Sequence, residues 1–306
     1  RDPAIVVTVQ DHHRRRSPAE APWIGRVVAF GTLVRTSAKK GKHRPLVEIE
    51  PVCLGEVEHR EIRRVKRDGL TMIHSFVSWK KRDQVIPVVR IIPPNATGRV
   101  TVMAHPRGKA AIALATGKPE ALTQSLLDLG ESVVAFDPLF VGEALPPSDP
   151  VAHRTEAYVF DTYNPAMAID QLQDLATVLA WSRSQPDVYE VHLIARQLAG
   201  PQVLLARPLL EGLGRTAIDL MGQGESDGTS PLPPELDIPG VLQFGGLKAA
   251  AALSAPCPIR LYRTSHLFER KWPEQAYQLG DVSSQLKIDE TEVNPQDLAR
   301  WIDRGE

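Results

Sequence analysis

Six side chains of this sequence are candidates for nucleophilic catalysis by their residue types and positions. A serine becomes a nucleophile when a histidine takes its proton, and an acid then orients that histidine. The candidates are two serines, two histidines and two aspartates: Ser226, Ser265, His105, His266, Asp219 and Asp227. Together they predict at most an unconventional hydrolytic site. Ser265 and His266 are adjacent in the chain, but adjacent side chains need not face each other.

Ser226 lies in the segment 224–228, which reads G-x-S-x-G. In enzymes that carry this motif, the serine occupies a strained turn between a strand and a helix. No apolar helix begins behind Ser226, because Pro231, Pro233 and Pro234 follow instead. A flexible glycine-rich loop therefore explains the segment better than an active site. The segment also lacks the Lys-Ser/Thr pair of a phosphate-binding loop.

A strand, a tight turn and a helix are indicated between Val188 and Leu210. Crowded apolar residues predict a buried strand over Val191–Ala195, and Pro201 suits the first turn of a helix. In an open α/β sheet, chemistry is usually placed at such a turn. When residues 195–199 are aligned with the G-x-S-x-G motif, Gln197 occupies the position of the nucleophilic serine. Glutamine has no proton to lose near neutral pH, so this turn predicts a degenerate site.

The backbone at Gln197 is expected to be relaxed. The frame holds alanine at both glycine positions, Ala195 and Ala199. Glycines relieve crowding in a strained turn, so their absence favours an ordinary conformation with negative φ.

Neither a metal nor a cofactor is predicted. His12 and His13 precede three arginines with no further ligand nearby, which indicates a solvated loop. The acidic run Asp289–Glu292 resembles the cap of a final helix more than a metal site. Cys53 and Cys257 cannot form a metal site by themselves, and we expect buried thiols.

Composition limits the classes of partner. A net charge of −1 over 306 residues gives no global electrostatic case for nucleic acid or an anionic membrane. No apolar run approaches the roughly 20 residues that span a bilayer. The first residues lack the order of a secretory signal, which leaves the compartment unknown.

Strands and helices alternate along most of the chain. From Arg99 onward the pattern predicts about six βα units, hence a doubly wound, mostly parallel α/β sheet. Before it, the chain reads as successive antiparallel strands, with turns at Asp68-Gly69 and at Lys80–Asp83. The basic turn 38–42 indicates a hairpin nearer the start of the chain. We therefore predict a β-rich extension over residues 1–57 and an α/β domain over residues 58–306.

Several segments, in their order, resemble the α/β-hydrolase superfamily and, more closely, bacterial acetyl-xylan-esterase-like proteins. They are HREIRRVKRDGL, RVTVMAHPRGKAA, VVAFDPLFVGEA, TYNPAMAIDQLQDLATVLAWSRS, VHLIARQLAGPQVLLA and LQFGGLKAAAALSAPCPIRLYRTS. The resemblance spans roughly Glu58 to Glu306, and the order of the six segments is more specific than any one of them.

The resemblance implies a nucleophile, an acid and a histidine in that chain order. The nucleophile falls on Gln197, and the late segment Asp289–Glu292 contains no histidine. Two of three positions are thus chemically wrong. The family's oxyanion loop matches His105–Gly108, although a structural histidine is an equally good interpretation. Asp137 matches a turn after the next strand, where turn geometry explains it.

The sequence accordingly predicts a degenerate, non-catalytic esterase-like protein with a structural, interaction or ligand-binding role. The alternative is an active carbohydrate or small-ester hydrolase that uses the unconventional residues above. A third hypothesis is a sugar-binding cleft with aromatic platforms among Trp79, Tyr163, Phe244 and Trp272. The resemblance suggests secretion or a periplasmic location. A catalytic hydrolase domain, a second copy of the chain or a carbohydrate are the partners expected.

Overall fold

The computed structural model describes residues 49–112, 118–145, 167–223, 241 and 245–305. The predicted hairpin near residues 38–42 lies outside this part of the chain. The division at residue 57 therefore stays a prediction. Residues 49–52 are described and form no strand.

Nine strands form one mixed sheet. Their bounds are β1 Val57–Arg67, β2 Leu70–Trp79, β3 Val85–Ile92, β4 Arg99–Ala104, β5 Ser132–Phe136, β6 Glu190–Ala195, β7 Thr216–Asp219, β8 Ile259–Tyr262 and β9 Leu286–Ile288. The spatial order is β1-β2-β3-β5-β4-β6-β7-β8-β9. Strands β4 to β9 are parallel, whereas β1, β2 and β3 pair antiparallel at one edge. The predicted fold class, mostly parallel α/β with antiparallel strands at the amino-terminal side, is confirmed.

Six helices are described in this structure. Their bounds are α1 Ala121–Asp128, α2 Met167–Ser184, α3 Ala199–Ala206, α4 Gly246–Leu253, α5 Lys271–Leu279 and α6 Pro295–Arg304. Helices α1 and α6 contact each other and cover one face of the sheet, while α2 to α5 cover the other. None of the described helices has the length and apolar character that a membrane span requires.

The central strand β6 shows why these segments form a doubly wound sheet. Leu193 and Ile194 are both fully buried, yet they belong to the cores on opposite faces. Side chains of successive strand residues point to opposite faces, so a strand covered on both sides is expected to be largely apolar. Because strands β4 to β9 run in the same direction, their carboxyl ends lie at one edge of the sheet, where the loops that could carry chemistry meet.

Candidate active site

The turn after β6 keeps the strained geometry of a nucleophile elbow. Gln197 has a φ of 53°, so the prediction of a relaxed backbone was wrong. The cause is a close crossing at Gly200, where an added Cβ would fall 1.8 Å from the carbonyl oxygen of Asp219. The helix must start this near to β7, and the chain can do so only by turning sharply at Gln197.

Asp219 holds this turn from the end of β7. Its carboxylate is almost fully buried and accepts the backbone N–H of Gln197 at 3.0 Å and that of Met221 at 2.9 Å. Arg263, directly after β8, donates to both carboxylate oxygens, with its Nε at 2.8 Å. This contact raises the pKa of Arg263. We call the carboxylate and its donors the Asp219 clamp.

The Asp219 clamp joins three strained residues. Gln197, Met221 and Arg263 all have positive φ, at 53°, 52° and 49°. Such conformations cost about 1–3 kcal/mol each and persist only where the surroundings enforce them. Because both Asp219 oxygens already accept two hydrogen bonds, this carboxylate has little capacity left to orient a catalytic histidine.

His105 follows β4 and is buried beside the elbow. Its Nδ1 accepts the backbone N–H of Arg107 at 3.0 Å. Burial, followed by the charges of Arg107 and Arg196, lowers the pKa of His105 to about 4. The imidazole is therefore neutral at pH 7, with its proton on Nε2. Its acceptor nitrogen is occupied by its own loop.

The loop after β4 has few backbone donors left for an oxyanion. Pro106 has no N–H, and Arg107 donates to His105. Gly108 donates to the His105 carbonyl at 2.9 Å, and Lys109 donates to Asp137 at 2.7 Å. An oxyanion hole needs donors aimed at the developing charge. Among residues 106–109, the backbone N–H is therefore either missing or already donated to a group within the protein.

Asp137 fixes two loops at the carboxyl edge. Its buried carboxylate accepts the N–H groups of Lys109 and Glu143, and the Lys109 ammonium lies 3.2 Å away. Gly108 and Gly142 have positive φ, and an added Cβ would fall 2.1 Å and 2.4 Å from this carboxylate. Asp137 therefore acts in the turn geometry that the sequence favoured for it.

The segments after β8 and β9 do not supply a base. Ser265 Oγ accepts the N–H of Leu267 at 3.1 Å, and the His266 side chain is exposed. Asp289 and Glu290 instead bind Arg260 and Arg270, at 2.7 Å and 3.0 Å.

Within the described ranges, no serine or cysteine is hydrogen-bonded to a histidine, and no three ligand-type side chains are grouped for a metal ion. Ser226 and Asp227 lie outside those ranges.

Of the four aromatic residues suggested as platforms, the structure describes two, Trp79 and Trp272. Trp79 is buried, with its indole N–H donating to Glu56 at 3.2 Å. Trp272 is half-buried, with the Lys248 ammonium 5.0 Å from its ring centre. Tyr163 and Phe244 lie outside the described residues. Both cysteines are free thiols, but Cys53 is exposed and Cys257 is only half-buried, so the prediction of two buried thiols was wrong.

Sequence reasoning missed two residues that shape this edge. Arg263 gave no signal, because its importance depends on a partner 44 positions away. Asp174 on α2 accepts Gln84 Nε2 at 2.6 Å and the Leu139 N–H at 2.9 Å, which fixes the loop after β5. Burial raises the pKa of Asp174 to about 7. A buried aspartate inside an apolar helix pattern was the available signal.

Solved structures of similar fold include several that are described as esterases, whereas no protein-family model and no curated protein matches the chain. A proposed acetyl xylan esterase from Bacteroides fragilis superposes with a TM-score of 0.59 at 16% identity, over 90% of this chain and 77% of that one. A glucuronoyl esterase from Solibacter usitatus gives 0.58 at 10% identity, over 94% and 92%. At these identities the similarity establishes an α/β-hydrolase-like, esterase-like fold.

Proposed function

We propose that this chain is a non-hydrolytic protein of esterase-like fold, with a structural, interaction or ligand-binding role in a larger protein or assembly. The observation that carries the proposal is Gln197. It occupies the elbow, with its positive φ, but it offers a carboxamide where acyl transfer needs an ionisable nucleophile. The esterase descriptions of the structural neighbours apply to this chain only through the fold.

Three further features support the proposal. The segment after β9 has no histidine to serve as a base. The Asp219 carboxylate is saturated by the backbone and by Arg263. The donors from Pro106 to Lys109 are absent or already used inside the loop. Restoring a serine alone would therefore leave the reaction without a base and short of oxyanion donors.

A binding role at this edge is supported by the chemistry of the Gln197 side chain. Gln197 is exposed, and its carboxamide can both donate and accept hydrogen bonds. A carbohydrate is the ligand class to test first at the edge, and a catalytic hydrolase domain or a second copy is the partner to test.

Hydrolysis of p-nitrophenyl acetate by the purified chain tests the proposal. We expect the rate to equal that of a heat-treated control. Labelling with a fluorophosphonate, followed by peptide mass spectrometry, surveys every serine, including Ser226 and Ser265. We expect no stoichiometric label on the wild type or on Gln197→Ser.

A different result would favour the alternative, an active hydrolase. Turnover that Ser226→Ala or Ser265→Ala abolishes would refute the proposal and name the nucleophile. Stoichiometric labelling of Gln197→Ser would mean that a working base and oxyanion site remain. The double variant Gln197→Ser with Glu290→His is the matched gain-of-function control, since it returns a histidine to the segment after β9.

A further inference from the structure

The first strand of the sheet carries an exposed row of arginines. Strand β1 spans eleven residues and is the terminal strand in the sheet order, with β2 its partner among the described residues. Arg60, Arg63 and Arg67 are all exposed. An edge strand presents unpaired backbone N–H and C=O groups to which another strand can bind. We call β1 with these three arginines the basic edge.

The three arginines of the basic edge share one face of the sheet. Directly opposite partners in an antiparallel pair point to the same face, and the β2 partners of Arg60, Arg63 and Arg67 are Phe76, His74 and Leu70. These three partners alternate along β2 and so lie on one face. The register shift between Glu61 and Arg63 brings Arg63 onto that face.

This face of β1 lacks a covering helix among the described residues. Helix α2 contacts β1 and β2 from the other face, where Val77 is buried and the rings of His59 and Trp181 are 6.1 Å apart. Helices α1 and α6 pack farther along the sheet, against β5 and β7. Phe76 and His74 are consequently half-buried, and the Arg60 guanidinium carbon lies 5.7 Å from the Phe76 ring centre.

Charge is distributed unevenly along the chain in a way that favours an acidic partner here. Residues 1–67 contain fifteen Lys and Arg against eight Asp and Glu, while the remaining residues contain twenty-one against twenty-nine. Residues 1–48 alone contain ten against four. The segment that precedes β1 therefore carries a net charge of the same sign as the basic edge.

We propose that the basic edge binds an extended acidic segment of a partner protein, which adds to the sheet as a strand next to β1. Backbone hydrogen bonds would supply part of the affinity, and acidic side chains at every second position would face the arginines. Guanidinium groups suit this role because they bind carboxylates in a bidentate manner. Two copies of the basic edge repel each other, which disfavours self-pairing and selects for an acidic strand.

Binding of a fluorescein-labelled ten-residue peptide of alternating Glu and Val to the whole chain tests the proposal by fluorescence anisotropy. We expect saturable binding at about 20 mM salt that weakens by at least tenfold at about 300 mM, because exposed ion pairs are screened. The variant R60E/R63E/R67E should lose at least tenfold in affinity, and R60Q/R63Q/R67Q should lose less. The matched control reverses three exposed lysines elsewhere, as K118E/K271E/K287E, and should bind like the wild type.

Two further probes separate strand addition from simple charge attraction. The same peptide, N-methylated at every second residue, is made in both frames; the frame that lacks the donors facing β1 should fail to bind, and the other frame should still bind. A single-stranded oligothymidylate of equal charge should bind more weakly than the unmethylated peptide. Equal binding of the oligonucleotide, equal binding of both methylated frames, an unchanged affinity in R60Q/R63Q/R67Q, or no peptide binding at all would each overturn the proposal.

Discussion

Removing the carboxylate of Asp219 should destabilise the whole fold. Asp219→Ala leaves the N–H groups of Gln197 and Met221 without their acceptor, and leaves the Arg263 guanidinium without its carboxylate. Removing one partner of a buried ion pair costs about 3–5 kcal/mol. The Arg263 side chain is 32% exposed, which favours the lower end, about 3 kcal/mol. At roughly 2.1 cal/mol/K per residue over 306 residues, the Tm falls by about 5 °C.

Denaturant and thermal unfolding measure this loss. Asp219→Asn should be less severe than Asp219→Ala, because the amide oxygen can still accept one backbone N–H. Arg263→Ala and the double variant complete a cycle, in which the two single losses should sum to clearly more than the double loss. The exposed Asp83→Ala is the control, with a change within about 0.5 kcal/mol. A loss below about 1 kcal/mol for Asp219→Ala, or additive single losses, would refute the proposed role of the Asp219 clamp.

Three other predictions concern buried groups. Histidine NMR should show His105 as the neutral Nε2–H form at pH 7, titrating near pH 4, since burial followed by Arg107 and Arg196 lowers its pKa. Stability from His105 is then lost as the pH falls from 6.5 to 4. Burial raises the pKa of Glu131 from 4.5 to about 7, so the native state binds this proton more tightly, and the stability contributed by Glu131 falls as the pH rises between those values. Chemical unfolding should show Glu131→Gln gaining stability relative to the wild type as the pH rises through that window, while the opposing contribution of His105 is the same in both proteins. Gly108→Ala should lose about 2–5 kcal/mol in the same measurement, because φ is 55° and the new Cβ would meet Asp137.

Each of these has a matched comparison. For His105, a titration midpoint near 6.5 would contradict the burial argument. Glu190→Gln, which changes a partly exposed carboxylate of the same cluster, should change the pH dependence of stability less than Glu131→Gln does. Gly55 has ordinary φ and open space around it, so Gly55→Ala should change the unfolding free energy by less than about 0.5 kcal/mol. If Gly55→Ala and Gly108→Ala were equally harmful, the contact with Asp137 would not be the cause.

Most of the parallel strands could be predicted because they are buried on both faces along nearly their whole length. Strand β6 has apolar residues on both faces, so it could be recognised as a strand without knowing which face meets the core. The final helix was also predicted, but its cap was wrongly assigned to the acidic run Asp289–Glu292: Asn294 caps Pro295–Arg304, and its side chain accepts the Asp297 N–H at 2.8 Å. Such local signals do not say which strands are neighbours. The pairing of β3 with β5 depends on contacts that no local pattern records.

The site was harder to predict because its decisive interactions are long-range. Gln197 was found from its frame, but its backbone was predicted as relaxed because only the alanines beside it were considered. The turn is in fact determined by Gly200 against the backbone of β7 and by the Asp219 carboxylate. The backbone and the carboxylate of Asp219 lie 22 positions after Gln197, so a motif of five residues around Gln197 carries no information about them.

The geometry of the turn at Gln197 does not depend on the side chain that residue 197 carries, so the turn can persist without a nucleophile. The strain at Gln197 is enforced by the crossing at Gly200 and by the Asp219 clamp, and neither depends on which side chain residue 197 carries. Loss of a serine would therefore remove the reaction while leaving the architecture intact. Loss of Asp219 or Gly200 would instead endanger the fold itself. Substitution of Asp219 or Gly200 is accordingly expected to cost more stability than substitution of Gln197.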